Sequence, residues 1–463
     1  MTESDAFSWY MEKDPALRST VVAVAWLDRA PPWEELARRL EAATRLAPSF
    51  RRRPLEPPGR LAAPRWAADG DFDLHWHLRR VGAPEPRTRE TVLEMARLAA
   101  TTGFDRTRPL WEFTLVEGLA GGEAALVMKF HHSLTDGVGG VRLAYLLVDD
   151  EAGGPGPRPV PEAPPGEVLE GPALVLESLA HRAGELVGRA TTVLRWTPRT
   201  AGRMLRHPFA TTASLGETAR SVARTVAPVR RTLSPVMVRR GPGRRLHMLE
   251  VGLDDLHRAA SAAGGSINDA FMAGVTGGLR RYHERHGVGL GPLMVTMPIS
   301  IRRPTDPVGG NRITLMRFRV AAGIPDPLER LRALHERCGV ARAERSLAVT
   351  DEIAGTLNLL PASVVGAMLK HVDFLASDVT GFPRPVYLCG ARVTGYYPFG
   401  PTIGAALNAT LFSYDGRCCI GVTVDTDAVP DDDVLLECLR QGLAEVTAAG
   451  AVPGAQEEVE VPC

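Results

Sequence analysis

The sequence predicts an α/β (α+β) protein with two mixed halves joined by a long connector. Residues 1–150 alternate strand-like apolar runs with amphipathic helical segments, and residues 246–463 repeat that mixture before an acidic tail. Residues 151–245 shift first to Gly and Pro and then to Arg. A Gly/Pro-rich stretch of this kind is typical of an extended linker between packed units.

Strands and helices alternate in the first half. Apolar runs predict strands over 20–26, 113–116 and 124–130. Segments 32–47 and 89–101 carry apolar residues at helical spacing and predict helices. This order predicts that the first half contains a sheet with helices packed on it.

The most informative motif is His131-His132-Ser133-Leu134-Thr135-Asp136-Gly137, of the form HHxxxDG. It lies between the predicted strand 124–130 and a helix predicted over 138–148. Imidazole titrates near neutrality, so it can take a proton from an alcohol or amine and return it. Asp136 can orient the ring or hold the loop, and Gly137 suits a tight turn. Adjacent residues of a strand face opposite ways, so only one of the two histidines need be catalytic. The alternative is that both histidines are structural.

In the second half, the clearest signals for the start of a helix lie at Ser266. Ser266 can cap this helix and Asp269 can complete a capping box, ahead of an apolar stripe over 271–282. A strand is predicted over 293–296, ended by Met297-Pro298. A basic, Pro-interrupted loop then follows over 300–309.

Composition is that of a globular protein with no sign of a membrane span or disulfide framework. Hydrophobic residues make up 44% and charged residues 23% of 463 residues. No uninterrupted apolar run reaches the roughly 18 residues that span a bilayer. The N-terminal residues lack the pattern of a signal peptide, and the six cysteines lack metal or disulfide spacing. We therefore expect a cytoplasmic protein with no metal site.

Charge is balanced overall but not locally. Residues 181–245 carry 14 arginines and two glutamates, whereas residues 425–463 carry 10 acidic residues and one arginine. Nucleic-acid binding is disfavoured because only Trp196 and Phe209 are aromatic in the basic segment. Two interpretations stay open: docking on anionic lipid, through arginines mixed with apolar anchors, or a plain arginine-rich connector. The first places the protein peripherally on the inner face of the plasma membrane or on lipid droplets.

Several motifs, in order along the chain, resemble the bacterial wax ester synthase/diacylglycerol acyltransferase family. The matching elements are Trp66–Leu74, Pro109-Leu110-Trp111-Glu112, Val116–Leu119, the HHxxxDG string, Ile267-Asn268-Asp269, Met297–Arg302, Gly310-Asn311, Tyr387–Ala391 and Tyr397-Pro398. The family belongs to the coenzyme A-dependent acyltransferases, with chloramphenicol acetyltransferase and peptide-synthetase condensation domains as distant relatives. The resemblance implies two chloramphenicol-acetyltransferase-like αβ halves around a shared active-site tunnel.

The same resemblance implies an O-acyltransferase. A fatty acyl group would pass from acyl-CoA, a co-substrate, to diacylglycerol or a long-chain alcohol, giving triacylglycerol or wax ester without a bound cofactor. His132 is then expected to take the hydroxyl proton, while His131 and Asp136 support the loop that Gly137 ends. Asn268 would place a polar group near the reacting atoms, or simply serve the start of its helix.

Arg302 and Arg303 are candidate contacts for a coenzyme A phosphate. Arginine offers paired donors to phosphate, and both residues lie in the basic loop that follows the predicted strand. The alternative is that both arginines are solvated surface residues.

Two departures from the family pattern leave the acceptor open. The usual Asn-Val-Pro-Gly-Pro run is replaced by Ser377–Pro383, and the usual Pro-Met-His-Val string near the N-terminus by Leu17–Val21. Rival interpretations are therefore acyl transfer to an amine, a sugar or a carrier-bound intermediate. A further alternative is an inactive lipid-surface protein of the same fold.

Overall fold

A computed structural model describes residues 1–57, 63–154, 160–162, 229, 231–300, 313–344, 355, 357, 358, 364, 366 and 369–451. The described strands form two six-stranded sheets and one two-stranded ribbon. A separate cluster of buried apolar side chains packs on each large sheet. The mixed α/β architecture predicted from the sequence is thus confirmed.

The first half supplies six of the described strands. These are β1 (Thr20–Leu27), β2 (Arg52–Leu55), β3 (Arg65–Ala68), β4 (Leu78–Gly82), β5 (Trp111–Glu117) and β6 (Ala124–His131). Its helices are α1 (Glu3–Met11), α2 (Trp33–Leu46), α3 (Leu74–His77), α4 (Arg89–Thr101) and α5 (Gly137–Leu147). Short 3-10 turns lie at Pro15–Leu17, Pro48–Arg51 and Ala120–Gly122.

The second half begins its sheet at Arg244. Its strands are β7 (Arg244–Gly252), β8 (Leu293–Ser300), β9 (Ile313–Val320), β10 (Phe374–Phe382), β11 (Tyr387–Leu388), β12 (Ala391–Phe399), β13 (Leu407–Tyr414) and β14 (Arg417–Asp425). Its described helices are α6 (Leu253–Ala262), α7 (Ile267–Arg285), α8 (Pro327–Arg342) and α9 (Asp432–Ala451). The strand order of this second sheet is β7-β14-β13-β10-β8-β9.

The first sheet is completed by strands from the far end of the chain. Its order is β11-β12-β1-β6-β5-β4, so residues 387–399 lie beside β1 rather than in the second sheet. Gly421 of the second sheet passes so close to the Pro398 carbonyl that a Cβ there would lie 1.9 Å from the oxygen. The indole N–H of Trp26 also reaches the Met248 sulfur at 3.4 Å. The two sheets are therefore in close contact, through the backbone between β12 and β14 and through side chains between β1 and β7.

Most predicted elements of the first half are confirmed. β1, α2, α4, β5 and β6 cover the predicted segments, with ends shifted by a few residues, and α5 covers the helix predicted after the histidine string. In β1 nearly every residue is buried, because β12 and β6 pair with its two edges and its side chains belong to the apolar core of the first sheet. The capping box at Ser266 and Asp269 is also confirmed, and α7 extends to Arg285.

The predicted end of the strand at Met297-Pro298 is wrong, because β8 continues to Ser300. Pro298 lies opposite Leu315 of β9, and β8 pairs with β10 only at Val295 and Thr296. Beyond Thr296 the strand therefore has one paired edge, where a residue without an N–H is tolerated.

Most of the basic connector lies outside the described residues. Arg302, Arg303, Gly310 and Asn311 lie outside them as well. Within the described ranges of the chain, no helix is long and apolar enough to cross a membrane.

Candidate active site

The histidine string lies where β6 ends and α5 begins, and its backbone is held from two sides. The N–H of His131 donates to the carbonyl of Leu110 at 3.0 Å. The N–H of His132 donates to the carbonyl of Ser19, just before β1, at 2.9 Å. Backbone hydrogen bonds on consecutive residues fix the direction in which each side chain leaves the strand end.

Trp111 anchors the segment that carries the Leu110 carbonyl. The Trp111 side chain is fully buried and its indole N–H donates to the Phe50 carbonyl at 2.9 Å. Its ring stacks on His77, with centroids 4.6 Å apart. The Pro-Leu-Trp element therefore supports the histidine string through the core, and neither His77 nor Trp111 lines the cavity described below.

His132 lines a cavity at the junction of the two halves, which we name the reaction cavity. Burial lowers the pKa of His132, against the opposing effects of its own backbone carbonyl and of Asp136. Its Nδ1 is buried and has no hydrogen-bond partner among the described residues. A neutral imidazole in such a site can accept a proton from a bound substrate.

His131 faces away from the reaction cavity and is fully buried. Its Nδ1 accepts the N–H of Ser133 at 3.1 Å, which places the ring proton on Nε2. Nε2 lies 3.4 Å from a carboxylate oxygen of Glu12. Burial alone would raise the pKa of Glu12, but His131 and the Ser19 N–H hold that pKa below its ordinary value. His131 thus ties the string to the segment after α1.

Asp136 caps the helix that follows the string. Its Oδ1 accepts the N–H of Gly139 at 2.7 Å, and the carboxylate is 1% exposed. An acidic side chain at a helix N-terminus satisfies an otherwise unpaired N–H and interacts favourably with the helix dipole. Asp136 therefore holds the loop that carries His132.

Position 137 leaves little room for a side chain, which explains its glycine. A Cβ at this position would lie 2.9 Å from a methyl carbon of Val379 on β10. Gly137 is not among the glycines with a positive φ, so the turn itself does not demand glycine. The predicted reason, a tight turn, is therefore corrected to a close approach between the two halves.

The walls of the reaction cavity are largely apolar and come from both halves. The first half contributes Val21, Ala23, Phe130, His132, Thr135, Asp136, Gly137, Gly140 and Val141. The second half contributes Pro298, Leu315, Leu375, Ala376, Ser377, Val379, Tyr396, Pro398, Gly400, Pro401, Ile403, Asn408, Thr410 and Phe412. Sequence reasoning found the histidine but not these walls, because they come from strands of both halves that are distant in the chain.

Asn268 is not brought into this cavity by the described residues. It is buried in the first turn of α7, with its amide nitrogen 3.8 Å from the sulfur of Met297. Its neighbour Asp269 pairs with Ser266 in the capping box and with His335 at 2.8 Å. These contacts test neither interpretation of Asn268, so its catalytic role and its role at the helix start both stay predictions.

One group of possible metal ligands occurs among the residues that the structure describes. His247, Asp432 and Asp433 have ligand atoms within 4.8 Å of one another. His247 Nε2 already lies 2.7 Å from Asp432, and Arg245 Nε lies 3.7 Å from the same carboxylate. Asp432 is thus already paired with His247 and Arg245 of β7 at the first turn of α9.

Solved structures place this architecture among two-lobed acyltransferase folds. A wax ester synthase/diacylglycerol acyltransferase from Marinobacter aquaeolei VT8 matches with a TM-score of 0.63 at 23% identity, over 96% of this chain and 98% of that chain. The first condensation domain of the calcium-dependent antibiotic synthetase matches with a TM-score of 0.64 at 16% identity, over 98% and 97%. These likenesses define the class of fold, a two-sheet fold shared with a wax ester synthase/diacylglycerol acyltransferase and with a condensation domain.

Family models define the family itself. The wax ester synthase/diacylglycerol acyltransferase catalytic domain matches residues 1–271, and the C-terminal domain of that family matches residues 309–447. A Mycobacterium tuberculosis H37Rv protein, provisionally named a diacylglycerol O-acyltransferase, is 35% identical over 96% of this chain and 90% of its own length. A second relative with such a name, from the same strain, is 30% identical over 92% and 86%. The chain belongs to the wax ester synthase/diacylglycerol acyltransferase family.

Proposed function

We propose that this protein is an acyl-CoA-dependent O-acyltransferase that esterifies diacylglycerol or a long-chain alcohol. The observation that carries the proposal is His132, an imidazole kept neutral by burial in a cavity walled by both halves. The relatives' names and the family model support the same reaction class.

The proposed reaction is a direct transfer in two proton steps. The ring nitrogen of His132 that faces the cavity takes the hydroxyl proton of the alcohol as its oxygen attacks the thioester carbonyl. The ester C–O bond forms and the C–S bond breaks. The imidazolium then returns the proton to the departing thiolate, so the ring is neutral again at the end of the cycle.

Cysteine chemistry supports direct transfer over a thioester intermediate on the enzyme. Burial raises the pKa of Cys338 and Cys418 to about 12 and that of Cys389 to about 11. A thiol with so high a pKa is a poor nucleophile at neutral pH. None of the described cysteines lines the reaction cavity.

The apolar walls favour a lipophilic acceptor. Phe130, Leu315, Leu375 and Phe412 line the space next to His132, and burying alkyl carbons there is favourable. Ser377 and Val379, which belong to the segment that departs from the family pattern, lie in the same wall. The choice among lipophilic acceptors therefore depends on positions where this chain departs from the family pattern.

An acceptor panel tests the proposal. Release of coenzyme A from palmitoyl-CoA would be followed with a thiol reagent, with hexadecanol, dioleoylglycerol, hexadecylamine, glucose or no acceptor, and products identified by mass spectrometry. We expect release to require hexadecanol or dioleoylglycerol and to yield the matching ester. Release only with the amine or the sugar would show that the acceptor is not a lipophilic alcohol and would contradict the proposal. No release with any acceptor would identify an inactive member of the fold.

We also propose that the basic segment docks the protein on anionic lipid. Residues 181–245 carry a net charge of +12, with Trp196 and Phe209 as apolar anchors. Basic segments near a membrane gain on the order of 1 kcal/mol per Lys or Arg from anionic headgroups, an attraction that salt screens.

Sedimentation with liposomes tests this docking. We expect binding to phosphatidylglycerol-containing vesicles at low salt, weaker binding at about 300 mM NaCl, and little binding to pure phosphatidylcholine. Replacing Arg195, Arg199, Arg203 and Arg206 with Gln should remove most of the binding. Binding that is equal with and without anionic lipid would contradict the proposal.

A further inference from the structure

A second cavity lies next to the reaction cavity and is lined by three arginines, so we name it the arginine cavity. Its guanidinium groups belong to Arg18, Arg97 and Arg244. Among the described residues, no Asp or Glu lines it. It shares Gly400 and Pro401 with the reaction cavity, so the two spaces adjoin at the end of β12.

Strand alternation explains why the two spaces are separate. Thr20 and Val21 are consecutive on β1, so their side chains leave opposite faces of the sheet. Thr20 lines the arginine cavity and Val21 lines the reaction cavity. Thr20 also lies opposite His131 in the antiparallel pair, so the arginine cavity is on the His131 face.

The arginine cavity contains buried polar groups that lack hydrogen-bond partners. The hydroxyls of Thr20, Thr402 and Thr423 are buried, at 3%, 1% and 3% residue exposure, and have no hydrogen-bond partner among the described residues. Arg18 Nε also lacks a hydrogen-bond partner, although the guanidinium donates through another nitrogen to the Thr101 carbonyl. Because an unpaired buried hydroxyl is costly, three of them around one space indicate a polar occupant.

The counterions of the arginines lie outside the lining. Arg18 Nε is 3.8 Å from Glu12, Arg97 pairs with Glu94 along α4, and Arg244 lies 3.3 Å from Asp425. Each carboxylate contacts its arginine without lining the space. Arg244 also donates to the Gly241 and Gly243 carbonyls, and Arg18 to the Thr101 carbonyl. The cavity wall therefore offers an occupant positive charge, the remaining guanidinium N–H groups and threonine hydroxyls, a set of groups that suits phosphate.

We propose that the arginine cavity binds a phosphate group of coenzyme A, the donor carrier. This inference rests on the proposed function, because acyl-CoA is the phosphate-bearing substrate of that reaction. The shared wall at Gly400 and Pro401 places the carrier beside the cavity that holds His132.

The test measures binding of free coenzyme A, pantetheine and inorganic phosphate by titration calorimetry, without turnover. Arg97→Gln is the main variant, because Arg97 is partly exposed and exposed ion pairs contribute little to stability. Arg89→Gln is the matched control: it lies on the same helix, pairs with Glu123 and does not line the cavity. We expect Arg97→Gln to weaken coenzyme A binding about tenfold, the effect of losing one charge-assisted hydrogen bond, and to leave pantetheine binding unchanged.

The double variant Thr402→Val/Thr423→Val adds a stability readout. Removing unpaired buried hydroxyls should leave the melting temperature equal or higher while weakening coenzyme A binding. A lower melting temperature with unchanged affinity would give these threonines a purely structural role and overturn the inference.

The remaining outcomes separate this inference from the proposed function. Equal affinity of wild type and Arg97→Gln for coenzyme A, with acceptor-dependent release intact, overturns the phosphate site alone. An equal loss of pantetheine affinity also overturns it, because pantetheine carries no phosphate. Binding of inorganic phosphate but not of coenzyme A overturns the carrier assignment and, with it, the donor of the proposed reaction.

Discussion

We expect His132→Ala to lower kcat/KM for ester formation by about 10²–10⁴-fold, the usual contribution of a general base. The physical reason is that His132 lines the reaction cavity as a neutral imidazole, held by burial and by the backbone bond to Ser19. Without it, the alcohol must lose its proton to water. The rate of coenzyme A release with hexadecanol measures the effect.

The pH profile of the wild type adds a second check on His132. The neutral ring is the active form, and burial lowers its pKa below the ordinary value of 6.5. Activity should therefore persist below pH 6.5 and fall only as the pH passes the lowered pKa. The control variant is His257→Ala, an exposed histidine on α6 outside the cavity, which should keep full activity. A folded His132→Ala protein with wild-type kcat/KM would contradict the assignment of His132 as the general base.

Asp136→Ala is expected to have the second largest effect, on stability and activity together. It removes the cap of α5, which typically costs about 0.5–2 kcal/mol of the free energy of unfolding. The loop between His132 and Gly137 loses the same anchor, so kcat should fall as well. Urea unfolding and coenzyme A release would be measured on the same preparation.

The matched control for Asp136 is another capping aspartate. Asp326 caps α8 by accepting the N–H of Glu329 at 2.7 Å, away from the reaction cavity. Asp326→Ala should therefore lower stability by a similar amount and leave kcat unchanged. If both variants lowered kcat equally, the activity loss would reflect stability alone, and the loop-holding role of Asp136 would be wrong.

Local patterns predicted the elements that carry the site. The apolar run that became β1, the stripes of α2 and α4 and the capping box at Ser266 depend on neighbours in sequence, so a single sequence reveals them. The HHxxxDG string predicted the position of His132 at a strand end for the same reason. Strand alternation alone did not tell its two histidines apart. The family resemblance pointed to His132, and the structure places His132, not His131, at the reaction cavity.

Features that depend on contacts between distant parts of the chain could not be predicted from the sequence. The addition of β12 to the edge of β1 brings residues near 395 to residues near 25, and no local signal encodes that pairing. The need for glycine at 137 depends on Val379, and the length of β8 past Pro298 depends on which edges are paired. The two cavities likewise come from side chains that only the assembled sheets bring together.

The most direct test of the central claim is acceptor-dependent release of coenzyme A, measured side by side for wild type and His132→Ala. We predict that wild type releases coenzyme A from palmitoyl-CoA only when a lipophilic alcohol is present, forming one ester per coenzyme A, and that His132→Ala does so at least about 100-fold more slowly. Equal rates for the two proteins, or stoichiometric release by wild type without alcohol together with an acylated protein, would contradict direct transfer with His132 as the base.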